Sequence, residues 1–314
     1  MKKIAVTGAS GFLGANLTEW LMNTYEVIRI ARKDREDFIS CRIDNTLSSG
    51  DCAWLGDAQV VIHCAARAHV MRETSEDPLA EYRNVNTSGS IKLAQYAAAH
   101  GIKRFIYISS IKVHGERNHA DSAIVEDAQL EPVDPYGISK LEAEQGLLKV
   151  AQDTGMEVVI IRPPLIYGPG VKANFETMMK WLNKNRPLPL GAVKNRRSLV
   201  GIDNLCSLIE TCIEHPNAAN QAFLVSDQDD VSITELLAKL KSSLASSSAL
   251  IPVPISLMKL GATMGGKGTV AQRLFDDLYV SSEKATQLLG WNPPYSMQEQ
   301  LDKTADYFKT NQKN

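Results

Sequence analysis

The sequence contains five cysteines, Cys41, Cys52, Cys64, Cys206 and Cys212, but no CxxC pair and no histidine at metal-ligand spacing from any of them. That scatter argues against a disulfide framework and a zinc site, and predicts buried thiols in a reducing compartment. An excess of either charge is also missing: 34 Lys plus Arg stand against 36 Asp plus Glu, a formal net charge of −2. Without a global positive field, neither nucleic acid nor an anionic membrane surface is an expected partner, and any anion must be held locally. No apolar run approaches the roughly 20 residues that span a bilayer. The opening Met1-Lys2-Lys3-Ile4-Ala5-Val6 imitates a signal peptide, yet it breaks at once into Thr7-Gly8-Ala9-Ser10-Gly11. A soluble, cytoplasmic protein is the expectation.

What is present is an ordinary globular balance, 44% apolar and 22% charged residues, over 314 residues. That length suits one large domain, or a domain carrying a smaller lobe. Short apolar runs at Lys3–Thr7, Glu26–Ala31, Gln59–Cys64, Phe105–Ser109 and Glu157–Arg162 alternate with helical patterns, notably Glu81–His100 and Tyr136–Thr154. The centre of the last run, Val-Val-Ile-Ile, is apolar on both faces, as a covered parallel strand requires. The alternation predicts an α/β fold, a doubly wound parallel sheet of the Rossmann type over residues 1–168. Past Tyr167-Gly168-Pro169-Gly170 the rhythm changes to a helical pattern at Phe175–Asn185, a turn-rich stretch Arg186–Arg197, then Asp203–Glu214 and a strand at Ala222–Val225. Residues 203–226 are expected to return to the main sheet, leaving 169–202 and 227–314 as a smaller, mostly helical lobe that ends in Met297–Phe308.

Gly8-Ala9-Ser10-Gly11-Phe12-Leu13-Gly14 follows the first strand directly and opens an amphipathic helix. A glycine turn there brings backbone close to a pyrophosphate, and the helix N-terminus supplies N–H groups and a positive dipole. The spacing is G-x-x-G-x-x-G rather than G-x-G-x-x-G, and its competing reading is a plain tight turn. After the second strand, where NAD enzymes usually place an acid for the ribose, this chain has Arg32-Lys33. Arg32 suits a 2′-phosphate and so leans to NADP, unless it is merely a solvated surface residue. Asp44 is a candidate partner for the adenine amino group, and Ala65 and Ala66 are small where a strand end must admit a dinucleotide.

Tyr136 and Lys140 lie four apart at the start of a helix announced by Asp134-Pro135, so both reach one cleft. A free phenol, with a pKa near 10, is too weak a base at neutral pH, and a neighbouring ammonium favours the phenolate. Ser110, at the end of the strand Phe105–Ser109, suits a hydrogen bond to the reacting oxygen, whereas Ser109 reads as a cap and His114 as a packed ring.

These elements resemble the extended short-chain dehydrogenase/reductases, and among them the nucleotide-sugar epimerase/dehydratase family. The likeness is carried by Thr7–Gly14, His63-Cys64-Ala65-Ala66, Asn84-Val85-Asn86-Thr87, Ser109-Ser110, Tyr136–Lys140, Arg162-Pro163, Tyr167-Gly168-Pro169 and Leu289-Gly290-Trp291-Asn292-Pro293. It implies NAD or NADP held by Gly8, Ser10, Gly11, Phe12, Leu13, Gly14, Ala65, Ala66, Asn86 and Pro163, with Tyr136 and Lys140. It also implies a nucleoside-diphosphate sugar, gripped by Asn174, Arg197 and, by a looser match, Arg273. Dimerisation through the helices near Glu81 and Tyr136 is implied as well.

Dehydratases of that family carry an Asp-Glu pair directly after the catalytic hydroxyl residue. Here Ser110 is followed by Ile111-Lys112-Val113-His114-Gly115, so dehydration is disfavoured. A 4-epimerase of a UDP-hexose or UDP-N-acetylhexosamine is favoured. An NADPH-dependent reductase of a UDP-4-keto-6-deoxy sugar is the alternative, because Arg32 suits the NADPH that net reduction usually employs, and the Ser-Ile-Lys-Val-x-Gly-Glu stretch resembles enzymes of bacterial surface-polysaccharide pathways, reductases of such sugars among them. A dinucleotide sensor without catalysis is disfavoured by the presence of both Tyr136 and Lys140.

Overall fold

The computed structural model describes residues 1–68, 75–119, 121–264 and 274–311. Among them nine strands occur: β1 Lys3–Thr7, β2 Glu26–Ala31, β3 Ile39–Ser40, β4 Val60–His63, β5 Arg104–Ile108, β6 Glu157–Arg162, β7 Leu165–Tyr167, β8 Leu199–Gly201 and β9 Ala222–Leu224. Ten α-helices accompany them: α1 Phe12–Leu21, α2 Pro78–Tyr82, α3 Ser90–Ala99, α4 Pro135–Thr154, α5 Ala173–Asn183, α6 Ile202–Glu214, α7 Ile233–Leu244, α8 Ile255–Met264, α9 Glu283–Leu289 and α10 Met297–Asn311.

Seven strands form one parallel sheet in the order β3-β2-β1-β4-β5-β6-β9. The side-chain period of two explains why both of its faces are covered. Ile4, Val6, Ile62, Ile106, Val159 and Ile161 point to one side, where they pack with Leu17 and Leu21 of α1 and Leu205 and Ile209 of α6. Ala5, Val61, Phe105, Tyr107, Val158 and Ile160 point to the other, against Leu93 and Ala97 of α3 and Ala143 and Leu147 of α4. Each fully buried aliphatic side chain contributes on the order of 2 kcal/mol, which fixes the register of every strand. The segment 202–224 adds α6 to one face and β9 to the edge beside β6. A separate core, with Phe175 and Met179 of α5, Leu236 and Leu240 of α7 and Leu301 and Phe308 of α10, builds the C-terminal region.

The structure departs from the sequence reading in several places. The pattern Glu81–His100 predicts one helix, but a π-helical segment, Arg83–Gly89, separates α2 from α3. A π turn changes which face a helix presents, and Asn86 within it is fully buried. Gly89 closes that segment against the neighbouring loop, where a Cβ would lie 2.9 Å from Asp44 Cα. The short parallel pair β7–β8 also has no counterpart in the sequence reading.

Candidate active site

The strand order reverses between β1 and β4, and the crevice outside the carboxyl ends of the strands at such a point is where α/β sheets hold ligands. A cavity of about 440 Å³ opens there, lined by Gly8, Ser10 and Gly11 after β1, by Arg32 after β2, and by Ala65 and Ala66 after β4. Gly8 has φ +69°, and a Cβ on it would stand 2.7 Å from Ala65 N. On Gly14 a Cβ would meet Gly8 O at 2.2 Å, so strand, turn and helix close on one another only without side chains. Gly11 is the N-cap of α1 and has no side chain to accept from the first-turn N–H groups of that helix. Phe12 and Leu13 turn the other way and pack on the apolar core. These residues fit a dinucleotide: a cradle closed to Cβ atoms, a helix N-terminus, and Arg32, Lys33 and Arg35 on one rim.

Asp44 is buried, and its carboxylate accepts from Thr46 N at 2.8 Å, from Thr46 Oγ1 at 2.6 Å and from Arg42 Nε. These bonds within its own loop hold its pKa below the usual carboxylate range against the opposing effect of burial. Pro163 is buried beyond β6, and its carbonyl accepts from Ile111 N at 3.0 Å, which ties the chain after β6 to the turn after β5.

Ser110, Tyr136 and Lys140 come together at the end of β5. Asp134 caps α4 by accepting from Gly137 N at 2.7 Å, and Pro135 occupies the first helical position, where no N–H is needed. The first turn of α4 therefore points Tyr136 toward Ser110, which hydrogen-bonds its hydroxyl. Lys140, one turn on and 2% exposed, donates to Ile108 O at 2.7 Å with Nζ 4.5 Å from the Tyr107 ring centre and 5.8 Å from that of Tyr136. Tyr82 of α2 meets Tyr136 edge-on at 6.1 Å.

The electrostatics differ from the expectation that Lys140 lowers the phenol. Burial pushes Tyr136 above its ordinary value, Asp134 adds to that, and only the Ser110 hydrogen bond opposes it. Burial brings Lys140 itself down to about 7. Away from bulk water each charge is costly alone, and the desolvation outweighs the attraction between them. Between pH 7 and about 10.5 the unfolded chain thus holds a proton that the folded chain lacks, so stability rises with pH across that window. Lys140→Met removes this slope. Urea unfolding at pH 7 and pH 9 is expected to show the wild type gaining about 2 kcal/mol relative to the variant; parallel curves would mean an ordinary lysine pKa.

Around this trio lies a buried network. Asn86 accepts from Arg67 N at 2.8 Å and donates to Ser139 Oγ at 3.0 Å, clamping the loop after β4 to α4. Ser109 departs from the expected cap: it donates to Glu144 at 2.5 Å, and the capping role falls to Ser110, which accepts from Lys112 N at 3.3 Å. Glu144 also takes both prongs of Arg162, at 3.1 and 2.7 Å, and Arg162 reaches His114 Nε2 at 3.0 Å. Burial, with Arg162 second, holds His114 down to about 4, so the ring is a neutral packed group, as its sequence context suggests. Glu144 was missed in the sequence, though it stands four residues after Lys140 on the same helical face. His63, read in the sequence only as part of a family motif, is locked between Thr7 and Ser90 at 2.6 and 2.8 Å.

The residues expected at the sugar nucleotide are spread over the C-terminal region. Arg197 is partly buried, donates to Asp276 O at 3.1 Å, and lies within electrostatic reach of Glu116. Asn174 is exposed at the start of α5, next to Ala173 with φ +57°. Arg273 lies outside the described residues. No helix among the described residues is long and apolar enough to cross a membrane.

A doubly wound sheet whose first glycine turn faces a cavity, with a buried lysine one helical turn after a tyrosine beside it, has the architecture of an extended short-chain dehydrogenase/reductase. The chain belongs to the NAD dependent epimerase/dehydratase family, whose sequence signature matches residues 4–226. It is 44% identical to a UDP-glucose 4-epimerase of Vibrio cholerae over 313 residues, covering 98% of this chain and 95% of that one. It is 30% identical to a GDP-6-deoxy-D-mannose reductase of Pseudomonas aeruginosa over 247 residues, 75% of this chain and 78% of that one. The crystal structure of UDP-glucose 4-epimerase with UDP-glucose from Thermotoga maritima shares the fold, with a TM-score of 0.78, 22% identity and 99% coverage of both chains.

Proposed function

We propose that this chain is a nucleotide-sugar 4-epimerase that uses NAD or NADP and acts on a UDP-hexose or UDP-N-acetylhexosamine through a transient 4-keto sugar. The observation that carries this reading is the 44% identity, over 98% of the chain, to a protein named UDP-glucose 4-epimerase. The arrangement of Ser110, Tyr136 and Lys140 supports it. A bound nicotinamide supplies the acceptor for a hydride and can return it. The chain's own work is at oxygen. Tyr136 takes the proton from the sugar 4-hydroxyl, Ser110 hydrogen-bonds that oxygen, and Lys140 in its protonated form faces the phenolate that results. Gly8, Ser10, Gly11, Gly14, Ala65 and Ala66 hold the dinucleotide, and Asn86 orders the loop beside it. The segments 169–202 and 227–314 form the lobe for the sugar nucleotide, with Asn174, Arg197 and Arg273 on its diphosphate. The enzyme works in the cytoplasm as a homodimer through α2, α3 and α4.

Two observations favour a second reading, reduction of a UDP-4-keto-6-deoxy sugar by NADPH. Three cations, Arg32, Lys33 and Arg35, line the cavity after β2 and suit a 2′-phosphate, and a GDP-6-deoxy-D-mannose reductase is 30% identical. The two readings separate in one assay of the purified protein with UDP-glucose, UDP-N-acetylglucosamine and a UDP-4-keto-6-deoxy sugar, each with NAD or NADPH. Interconversion of 4-epimers without net cofactor change is expected. Stoichiometric loss of NADPH with the keto sugar alone would replace epimerase by reductase.

A further inference from the structure

Lys112 has no part in the chemistry above, yet it sits among the groups that perform it. It stands two residues after Ser110, in the 3-10 turn Ile111–His114. That turn packs tightly on the start of α4: a Cβ on Gly137 would lie 2.8 Å from Lys112 O. Lys112 Nζ is 6.0 Å from the centre of the Tyr136 ring, about as near as Lys140 at 5.8 Å. It ion-pairs with Asp134 Oδ2 and lies 3.5 Å from Glu116. Asp134 is the cap of α4, and its other oxygen accepts from Gly137 N.

The cap therefore has a cost. An anion at a helix N-terminus stabilises the helix, but this one is two residues from the tyrosine whose own anion must form. The charged and titratable groups facing Tyr136 are few. From α4 and its cap come Lys140 and Asp134, from the turn after β5 Lys112 with Glu116 behind it, from α2 the Tyr82 phenol, and from β5 the Tyr107 phenol. Lys140 is already committed to Ile108 O. Lys112, by contrast, is in direct contact with the carboxylate of Asp134.

We propose that Lys112 is a positioning residue for the reaction: by pairing with Asp134 it shields Tyr136 from the cap's negative charge and ties the turn bearing Ser110 to the helix bearing Tyr136. The inference rests on Tyr136 being the acid/base. Lys112 is about one-third exposed and Asp134 one-fifth, so water softens the interaction without removing it. Glu116 lies 3.5 Å from the same ammonium.

Three substitutions test this. Lys112→Met keeps the stem and loses the charge. The acidic limb of the pH profile of kcat/KM is expected to move up by about 1 unit, the effect of one neighbouring charge. On that limb the rate falls roughly 10-fold, mostly in kcat. Lys112→Arg keeps the charge and the wild-type limb. Asp134→Asn keeps a capping side chain, removes the anion and releases the ammonium that the anion holds beside the ring, so Lys112→Met added to it is expected to move the limb by less than it does alone. An unmoved limb in Lys112→Met, whatever its melting temperature, overturns the proposal. A shift that persists undiminished in the Asp134→Asn background overturns it too. Tyr136→Phe, assayed alongside, isolates the underlying reading: full activity there would remove Tyr136 as the acid/base independently of any result at Lys112.

Discussion

Tyr136→Phe is expected to lower kcat by about 10²- to 10⁴-fold while leaving KM for the sugar nucleotide within a few-fold. The substitution removes one hydroxyl and little else. The ring keeps its edge contact with Tyr82 and its place over Lys140, and the cap Asp134–Gly137 is made by backbone and side chain of other residues. What disappears is the group hydrogen-bonded to Ser110, and with it the route for the proton that must leave the sugar oxygen as hydride leaves its carbon. A circular-dichroism melt should match the wild type within a few degrees, so that the loss is chemical. The residual rate is expected to fall mildly with pH if Lys140, held down to about 7, then supplies the nearest cation. Wild-type turnover in the variant would remove Tyr136 from the mechanism.

The tyrosine, its lysine and the glycine turn were legible because each is a local pattern. Spacing of four on a helix and three glycines after a strand survive without any knowledge of the fold. The strands β1, β2 and β6 were legible to the residue, since each is a short, mainly apolar run bounded by polar or glycine-rich sequence. β3 was not, because its two residues, Ile39 and Ser40, lie exposed at the sheet edge and bury nothing that would leave a pattern. Nor was the π segment Arg83–Gly89, whose extra residue per turn is too small a change in period to read over seven positions. Ser109 was misread because a serine after a strand looks the same whether it caps a turn or donates to a carboxylate 35 positions away. Lys112 gave no signal either: nothing local says that its chain will cross to the cap of a helix 22 residues on. Interactions of that reach depend on the strand order, which no single stretch of chain encodes.

The buried ion pair between α4 and β6 shows what such reach is worth. Glu144 and Arg162 are 2% and 7% exposed at their side chains, and Arg162 spends its donors on both oxygens of Glu144, on Glu126 O at 2.9 Å and on His114. Glu144→Ala leaves a guanidinium buried without its counter-ion and leaves Ser109 without an acceptor. Removing one partner of such a pair costs about 3–5 kcal/mol, a large part of the stability of an ordinary domain. His114, already held near 4 by burial and Arg162, cannot take over, for it carries no negative charge. Replacing both members with apolar residues, as in Glu144→Leu with Arg162→Met, avoids the stranded charge, so the double variant is expected to unfold in urea at a higher midpoint than Glu144→Ala. Activity should not follow stability. Glu144 favours the protonated form of Lys140 one turn away, so losing it moves the lysine further down in either background. The double variant is therefore expected to recover its fold and still turn over more slowly than the wild type above pH 7. Equal urea midpoints for the single and double variants would show that the pair is not what holds α4 against β6.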